Sequence, residues 1–457
     1  MKYPKYLEYC QPEIDSSYLI PSHWEEKKFR FLFSFGRGLG ITKSDLVDEG
    51  IACINYGEIH SKYGFEIIPE KQKLKCVVEN YLESSVSSLL NNGDFVFSDT
   101  SEDLEGSGNF AHLNSNIPTF AGYHTVIARP TGDNFSRYLA YFIDSSLYRS
   151  QIRKSVSGVK VFSITQAILK NSYIWIPPLE EQKVISAFLD NKIQKIDRLI
   201  EKKRSLIEKL EENRIAIITQ AVTKGIDENV NLKFSEVSWL GDVPEHWKVA
   251  PIKFALEIPI TDGPHETPEL FNEGIPFLSA EAVKKDKLDF SRKRGFISEA
   301  EHRRFSKKYV PKRGDVYMVK SGATTGNVAR VETDEEFNIW SPLAALRPNS
   351  NMLITDFLFY YMKSKPFFYS VELSWSYGTQ QNIGMGVIAN LKIALPPVKE
   401  QFLITDFLTQ KCSYIDEMQS KAKDVIDKLS EYRAAIITSA VTGQIDVRAI
   451  EIPKEVV

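Results

Sequence analysis

Pro177-Pro-Leu-Glu-Glu-Gln182 and, further along, Arg214-Ile-Ala-Ile-Ile-Thr-Gln-Ala-Val-Thr223 are the stretches whose reading decides the fold, because both return 219 residues later. The second copies read Pro396-Pro-Val-Lys-Glu-Gln401 and Arg433-Ala-Ala-Ile-Ile-Thr-Ser-Ala-Val-Thr442. A third landmark, Ile20-Pro-Ser-His-Trp24, recurs as Val243-Pro-Glu-His-Trp247, 223 residues on. Nearly equal offsets imply one duplicated unit, and a period this long means two domain-sized copies instead of a solenoid of short repeats.

Outward from these landmarks, the run from Glu180 to Ala221 places apolar residues at heptad spacing. Ile193, Ile200 and Ile207 form one seam position, and Leu189, Ile196, Leu210 and Ile217 form the other. Lys203 and Arg214 interrupt the seam. Pro177-Pro178 can open a helix but not continue one, and Gly225 can end it, which predicts a rod of roughly 60 Å at 1.5 Å per residue. In the second copy Ile415, Ile426, Leu429 and Ile436 keep the seam while Cys412, Gln419 and Ala422 weaken it. A helix this long cannot bury its stripe within one small domain, so the other copy's helix is the expected partner. Antiparallel pairing would give a pseudo-two-fold coiled coil acting as a rigid spacer. The run Glu201-Lys-Lys-Arg204 reads as a solvated helix face.

Between the landmarks the copies diverge, sharing little beyond Gly93-Asp94 against Gly314-Asp315 and Asn171 against Asn390. Both divergent parts carry short β-rich runs (Phe95-Val-Phe97, Thr125-Val-Ile-Ala128, Ile174-Trp-Ile176, Val316-Tyr-Met-Val319) and helical stretches over 137–153 and 354–368, whose aromatics read as core. The expected class is α+β, with two mixed α/β domains separated by two long helices. The expected order is an N-terminal extension (1–20), first variable domain (21–176), first long helix (177–226), linker (227–242), second variable domain (243–395), second long helix (396–446) and C-terminal tail (447–457).

At 457 residues, 43% apolar, the chain can bury more than one core. No run of about 18 apolar residues could span a bilayer, so a soluble cytoplasmic protein with no membrane partner is expected. Cys10, Cys53, Cys76 and Cys412 fit neither paired metal ligands nor a disulfide framework, and are expected reduced, with no metal site. A net charge of −3 gives no general pull on polyanions, so nucleic-acid binding would need local patches.

The clearest patch runs from Lys284 to Arg313. Lys284, Lys285, Lys287, Arg292, Lys293, Arg294, Arg303, Arg304, Lys307, Lys308, Lys312 and Arg313 there outnumber Asp286, Asp289, Glu299 and Glu301. Interleaved Phe296, Phe305 and Tyr309 suit phosphate contact with apolar anchoring, although a plain solvated helix-loop would look similar. The first domain offers the weaker set Arg37, Lys43, Arg153, Lys154 and Lys160. Thr379, Gln380, Gln381 and Asn382 stand just before the segment leading into the second helix, with Ser157 to Ser163 in the corresponding place. They serve either as base readers, since amides pair bidentately with adenine, or as turn and capping residues. In Thr261-Asp-Gly-Pro-His-Glu-Thr267, His265 is either a DNA contact or a satisfied loop histidine.

Catalytic motifs are missing. The Pro-Pro pairs open helices and do not form an Asn/Asp-Pro-Pro-aromatic methyltransferase loop, Phe35-Gly-Arg-Gly-Leu-Gly40 fails the last spacing of a dinucleotide fingerprint, and there is no G-x-x-x-x-G-K-[ST] loop. No catalytic, cofactor-binding or small-molecule site is expected in this chain.

The duplicated His-Trp, Pro-Pro-x-x-Glu-Gln and Ile-Ile-Thr-x-Ala-Val-Thr landmarks resemble the specificity subunit of type I restriction-modification enzymes along essentially the whole chain. Ile54-Asn-Tyr-Gly-Glu-Ile59 and the 261–267 turn also look like openings of that family's target recognition domains. The resemblance implies a non-catalytic subunit serving phage defence. Each variable domain would read half of a split double-stranded DNA site, and the helices would set the gap and bind two methyltransferase (modification) subunits. Motor-nuclease (restriction) subunits would then join, with S-adenosylmethionine, Mg²⁺ and ATP all held by the partners. Because the two variable domains differ, the expected site is asymmetric. The alternative is a solitary sequence-specific DNA-binding or regulatory protein.

Overall fold

A computed structural model describes residues 3–13, 18–156, 158, 161–373 and 382–451. They form two compact units, one drawn from Met1–Lys203 with Asp424–Val457 and the other from Arg204–Lys423. The division therefore runs through both long helices, Leu179–Lys224 and Val398–Val441, and not through the linker.

In the first unit a five-stranded sheet is built from β1 (Phe33–Arg37), β3 (Phe65–Ile67), β6 (Phe95–Ser98), β7 (Phe110–Leu113) and β9 (Thr125–Pro130) in the order β1-β9-β6-β7-β3. It is antiparallel except where β7 meets β3. A second sheet joins β2 (Ile51–Ile54), β4 (Lys75–Val77), β5 (Leu89–Leu90) and β8 (Thr119–Ala121) in the order β4-β2-β8-β5. The central β6 is buried on both faces, which is why it reads as an unbroken apolar run and does not alternate.

The second unit repeats this plan. Its larger sheet contains β10 (Thr261–Asp262), β12 (Val283–Lys284), β13 (Lys287–Leu288), β15 (Val316–Val319), β16 (Val328–Arg330) and β18 (Leu343–Leu346), ordered β10-β18-β15-β16-β13-β12. Its smaller sheet orders β14 (Gly295–Ile297), β11 (Ile275–Leu278) and β17 (Asn338–Ile339). Even the parallel pair recurs, as β13 with β16. Gly93 and Gly314 turn into the central strands with φ of 95° and 93°, and the aspartates after them, Asp94 and Asp315, accept from backbone N–H groups three residues earlier and from Arg129 and Arg347.

The helical stretches expected over 137–153 and 354–368 are each two helices. Ser136–Asp144 is followed by Ser146–Ser155, and Thr355–Met362 by Lys365–Glu372. Ser145 is extended and its hydroxyl accepts from Tyr148 N–H, while Pro366, with no N–H to give a preceding turn, fits only a helix start.

The long helices pair antiparallel within each unit. In the first unit Tyr138 OH bridges the carbonyls of Trp175 and Val441, while Arg433 reaches Asp197 at 3.2 Å, so numbers rise on one helix as they fall on the other. Ile185, Leu189, Ile193, Ile196 and Ile200 bury against Ile436 and Ile437. In the second unit Arg214 meets Asp416 at 2.5 Å and Gln419 donates to Ile207 O. Asp197 and Asp416 are 219 residues apart, as are Arg214 and Arg433. The residue read as interrupting the seam is thus one end of a repeated interhelical ion pair, with the Arg214 side chain 8% exposed.

The other landmarks fasten each variable domain to the helices. Glu181 accepts from Trp24 Nε1, His23 Nε2 and Tyr6 OH at 3.1, 2.8 and 2.6 Å, and Glu400 holds Trp247 Nε1 and His246 Nε2 at 3.0 and 2.8 Å. The next residues, Gln182 and Gln401, are buried; each accepts from a backbone N–H at the head of a domain helix, Phe135 or Ile354, and donates to the carbonyl of Pro177 or Pro396. Thr219 and Thr438 accept from the first N–H of the Lys365 and Ser146 helices. Buried polar groups must be paired or they cost about 1–3 kcal/mol each, so these positions tolerate little drift while the variable domains diverge. All four cysteines are free thiols, and burial pushes Cys53 up to about 12. Among the described residues no helix is long and apolar enough to cross a membrane.

Candidate nucleic-acid interface

Register fixes which residues are equivalent at the ends of the large sheets. Arg37 faces Val126 where Asp262 faces Ala344, and Ser98 and Val319, opposite Thr125 and Leu343, lead to Asp99 and Lys320. Gly38 and Gly263 follow, where a Cβ would lie 1.9 Å from Gly122 O and 1.7 Å from Ile339 O, so only glycine lets the chain dive under the neighbouring loop. At this end Ile164 N–H donates to Asp99 O at 2.7 Å and Ile383 N–H to Lys320 O at 2.8 Å. Thr100 and Ser101 pair with Ser163 and Phe162, and Ser321 bridges to Asn382. The same loops therefore converge in both units, carrying different side chains. Arg37 and Asp99 stand in one where Asp262 and Lys320 stand in the other.

Asp262 is fully buried and has three basic side chains around it. Lys308 Nζ lies 2.5 Å from Oδ1, whereas Lys320 Nζ at 3.4 Å and His265 Nε2 at 3.2 Å approach Oδ2 at ion-pair range without hydrogen-bond alignment. Lys308 and His265 are half and nearly three-quarters exposed, so a buried carboxylate holds an ammonium and an imidazole at the surface. A cavity of about 200 Å³ adjoins them, walled by Phe305, Tyr309 and Ile339 with Arg304 and Asn338 at its edge. Arg304 pairs with Glu266 at 2.7 Å, Trp340 Nε1 donates to Glu266 O, and Arg294 lies 4.5 Å from the Trp340 ring centroid. Beneath, Tyr309 OH meets Asp315 and Tyr317, and burial drives its phenol pKa far up, so it acts as a permanent donor.

The structure thus brings together His265, Arg294, Arg304 and Lys308 from the expected set. Others are placed elsewhere. Lys284 and Lys285 belong to the β12–β13 hairpin, where Lys285 and Asp286 both take positive φ, and Lys285 lines a cleft with Arg214, Lys363 and Asp416. Arg292 pairs loosely with Asp289, Lys293 covers the Phe296 ring, Arg303 pairs with Glu299, and Lys307 is exposed without an acidic partner among the described residues. In the first unit Arg37 is exposed at the corresponding end of its sheet, and Lys43 is exposed in the short 3-10 turn Lys43–Asp45. Arg153 donates to Glu105 O, and Lys154 lines a cleft of about 560 Å³ with Gln151 and Tyr173. Asn382 is exposed beside Ser321, while Lys160, Thr379, Gln380 and Gln381 lie outside the described residues. Asp262 and Lys320 were missed by sequence reasoning; the only signal was the compact 261–267 turn.

Among the described residues no group of three or more His, Cys, Asp or Glu side chains is placed to hold a metal ion. The family model described as type I restriction modification DNA specificity domain matches twice, over residues 21–209 and 244–427. The putative type I restriction enzyme MjaX specificity subunit of Methanocaldococcus jannaschii is 26% identical, covering 94% of this chain and 95% of that protein. The MjaVIII specificity subunit of the same organism is 27% identical over 68% of this chain and 71% of its own length. A solved chain from work on complex assembly and conformational transition of the type I R-M system superposes with a TM-score of 0.69 at 18% identity, over 93% of this chain and 99% of that one, which supports the fold. With the domain model matched twice across most of its length, the protein belongs to the type I restriction-modification specificity family, as a DNA-specificity subunit.

Proposed function

We propose that each unit reads one half of a split, asymmetric double-stranded DNA site through the convergent loops at the end of its large sheet. The observation that carries this reading is that equivalent loops converge at the same end of both large sheets with different exposed groups: Arg37 in one unit, and Lys308 and His265 held on buried Asp262 in the other. One scaffold with different groups at its reading end suits two different half-sites. The long helices fix the gap, which suits half-sites about one duplex turn, roughly 34 Å, apart. They also dock two methyltransferase subunits, with motor-nuclease subunits joining. S-adenosylmethionine, Mg²⁺ and ATP are held by those partners, and this chain supplies sequence choice alone.

The test is to co-express the chain with the methyltransferase encoded beside it and map methylated positions across genomic DNA by single-molecule sequencing. Methylation at one asymmetric split site is expected. Two identical half-sites would refute the two-reader account, and tight specific binding by the chain with no methyltransferase complex would favour the solitary regulator.

A further inference from the structure

The landmarks repeated in both copies have internal work, except one. Trp24 and Trp247 are buried on a glutamate, Gln182 and Gln401 hold backbone, and Asp94 and Asp315 hold arginines. Phe31 and Phe254 occupy equivalent places 223 residues apart and are 70% and 62% exposed. Each sits in a short 3-10 turn, Phe29–Phe31 or Ile252–Ala255, whose first residue is fully buried and whose aromatic points out. A single exposed phenylalanine on a surface needs no explanation. The same exposed ring kept in two domains that have otherwise diverged does, because each copy leaves a large apolar side chain in water that a partner could bury.

Beside each ring stands a cation oriented by the repeated asparagine. Arg30 Nη2 donates to Asn171 Oδ1 and its Nε to Lys170 O, and Lys253 Nζ donates to Asn390 Oδ1 at 2.8 Å. No carboxylate among the described residues pairs with either cation. Their charge is therefore aimed outward. Phe31 also lines an open groove of about 640 Å³ with Pro177, Pro178 and Leu179, at the very start of the first long helix. This is the far end of β1 from the reading loops: Phe33 and Arg37 stand four strand steps, about 14 Å, apart.

We infer that Phe31 with Arg30, and Phe254 with Lys253, form two equivalent docking knobs for one kind of polypeptide bound in two copies. The partner's surface offers an apolar socket rimmed by acidic side chains. Resting on the function proposed above, that polypeptide is the methyltransferase subunit. Sameness between copies matches a partner that is the same at both places, as the reading ends, which differ, match two different half-sites.

Native mass spectrometry of the full chain with the methyltransferase subunit tests this, using F31S, F254S, the double variant, and the charge-reversed pair R30E/K253E. The expected result is two methyltransferase copies on the parent chain, one on either single variant and none on the two double variants, with at least a tenfold loss in affinity per altered site. All these residues are exposed, and unchanged helicity and melting temperature would show that the fold is kept. A double variant that still carries two copies overturns the inference while leaving the specificity role intact. So does a variant that keeps both copies but loses affinity for a DNA duplex. A parent chain that carries no methyltransferase overturns the inference together with the proposed function.

Discussion

Replacing Asp262 by asparagine keeps the size of the side chain and removes its charge, leaving two lysines and a histidine facing a neutral amide. The contributions separate by exposure. Lys308 is half exposed, so its pairing at 2.5 Å is screened and is worth at most about 1 kcal/mol once the amine can turn to solvent. Lys320 is only 10% exposed and cannot do so, and an orphaned buried charge costs about 3–5 kcal/mol. Asp262→Asn is therefore expected to destabilise the second unit by about 3 kcal/mol or more, nearly all of it through Lys320. Adding Lys320→Met should recover most of that, because an apolar side chain replaces a buried pair at little net cost. A two-unit chain need not unfold in one step, so the assay is hydrogen exchange in peptides from 204–423 across a urea series. Lys308→Gln, by contrast, should cost under about 1 kcal/mol in stability while lowering the slope of log affinity against log salt on target DNA by about 0.9, one phosphate contact. A loss below about 1 kcal/mol for Asp262→Asn, or a Lys320→Met addition that worsens it, would refute this account of the network.

His112 lies in the buried β7 with neither ring nitrogen hydrogen-bonded, and burial, aided by the Arg137 charge, lowers its pKa to about 3. The folded state holds it neutral while the unfolded chain takes up a proton below about 6.5. Stability of the first unit should thus fall by up to about 1.4 kcal/mol per pH unit between 6.5 and 3, and His112→Leu should remove that dependence and raise stability at neutral pH, measured by denaturation at several pH values. Asp416→Ala should loosen the second unit's helix pair by about 1–3 kcal/mol, because it leaves the buried Arg214 guanidinium with only Glu211 and Gln419, and Arg214→Ala, which leaves a carboxylate already 67% exposed, by less; equal effects in exchange protection of 204–224 would contradict the burial asymmetry. Lys285, at φ 49°, pays for a left-handed backbone, so Lys285→Gly should stabilise the second unit by about 1 kcal/mol in the same exchange assay, and destabilisation would overturn that reading.

How much of this was legible in the sequence follows from how local each signal is. The seam Ile193, Ile196, Ile200 and the buried runs 95–97 and 316–319 announce themselves within a few residues, and duplication doubles the evidence. The helix breaks at Ser145 and Ser364 are weaker signals, since a lone serine before an apolar run also fits a helix interior. Arg214 looked like a defect because its partner is 202 residues away, although the matching offset of Asp197 and Asp416 was available as a clue. The 284–313 patch looked more basic than it is: Glu266, Glu281, Glu332 and Asp334, which pair with Arg304, Arg294, Lys287 and Arg313, all lie outside the window in which charges were counted. Asp262 and Lys320 come together only through the strand order β10-β18-β15, which local spacing does not encode.

The most direct test of the central claim, that each unit chooses its own half of the target, is an exchange of residues 25–176 for the corresponding domain of a relative with a different site, followed by methylation mapping of the assembled complex. The account predicts that one half-site changes to the donor's, while the other half and the gap between them stay as they were. A site that ignores the exchange, or changes in both halves, would contradict it.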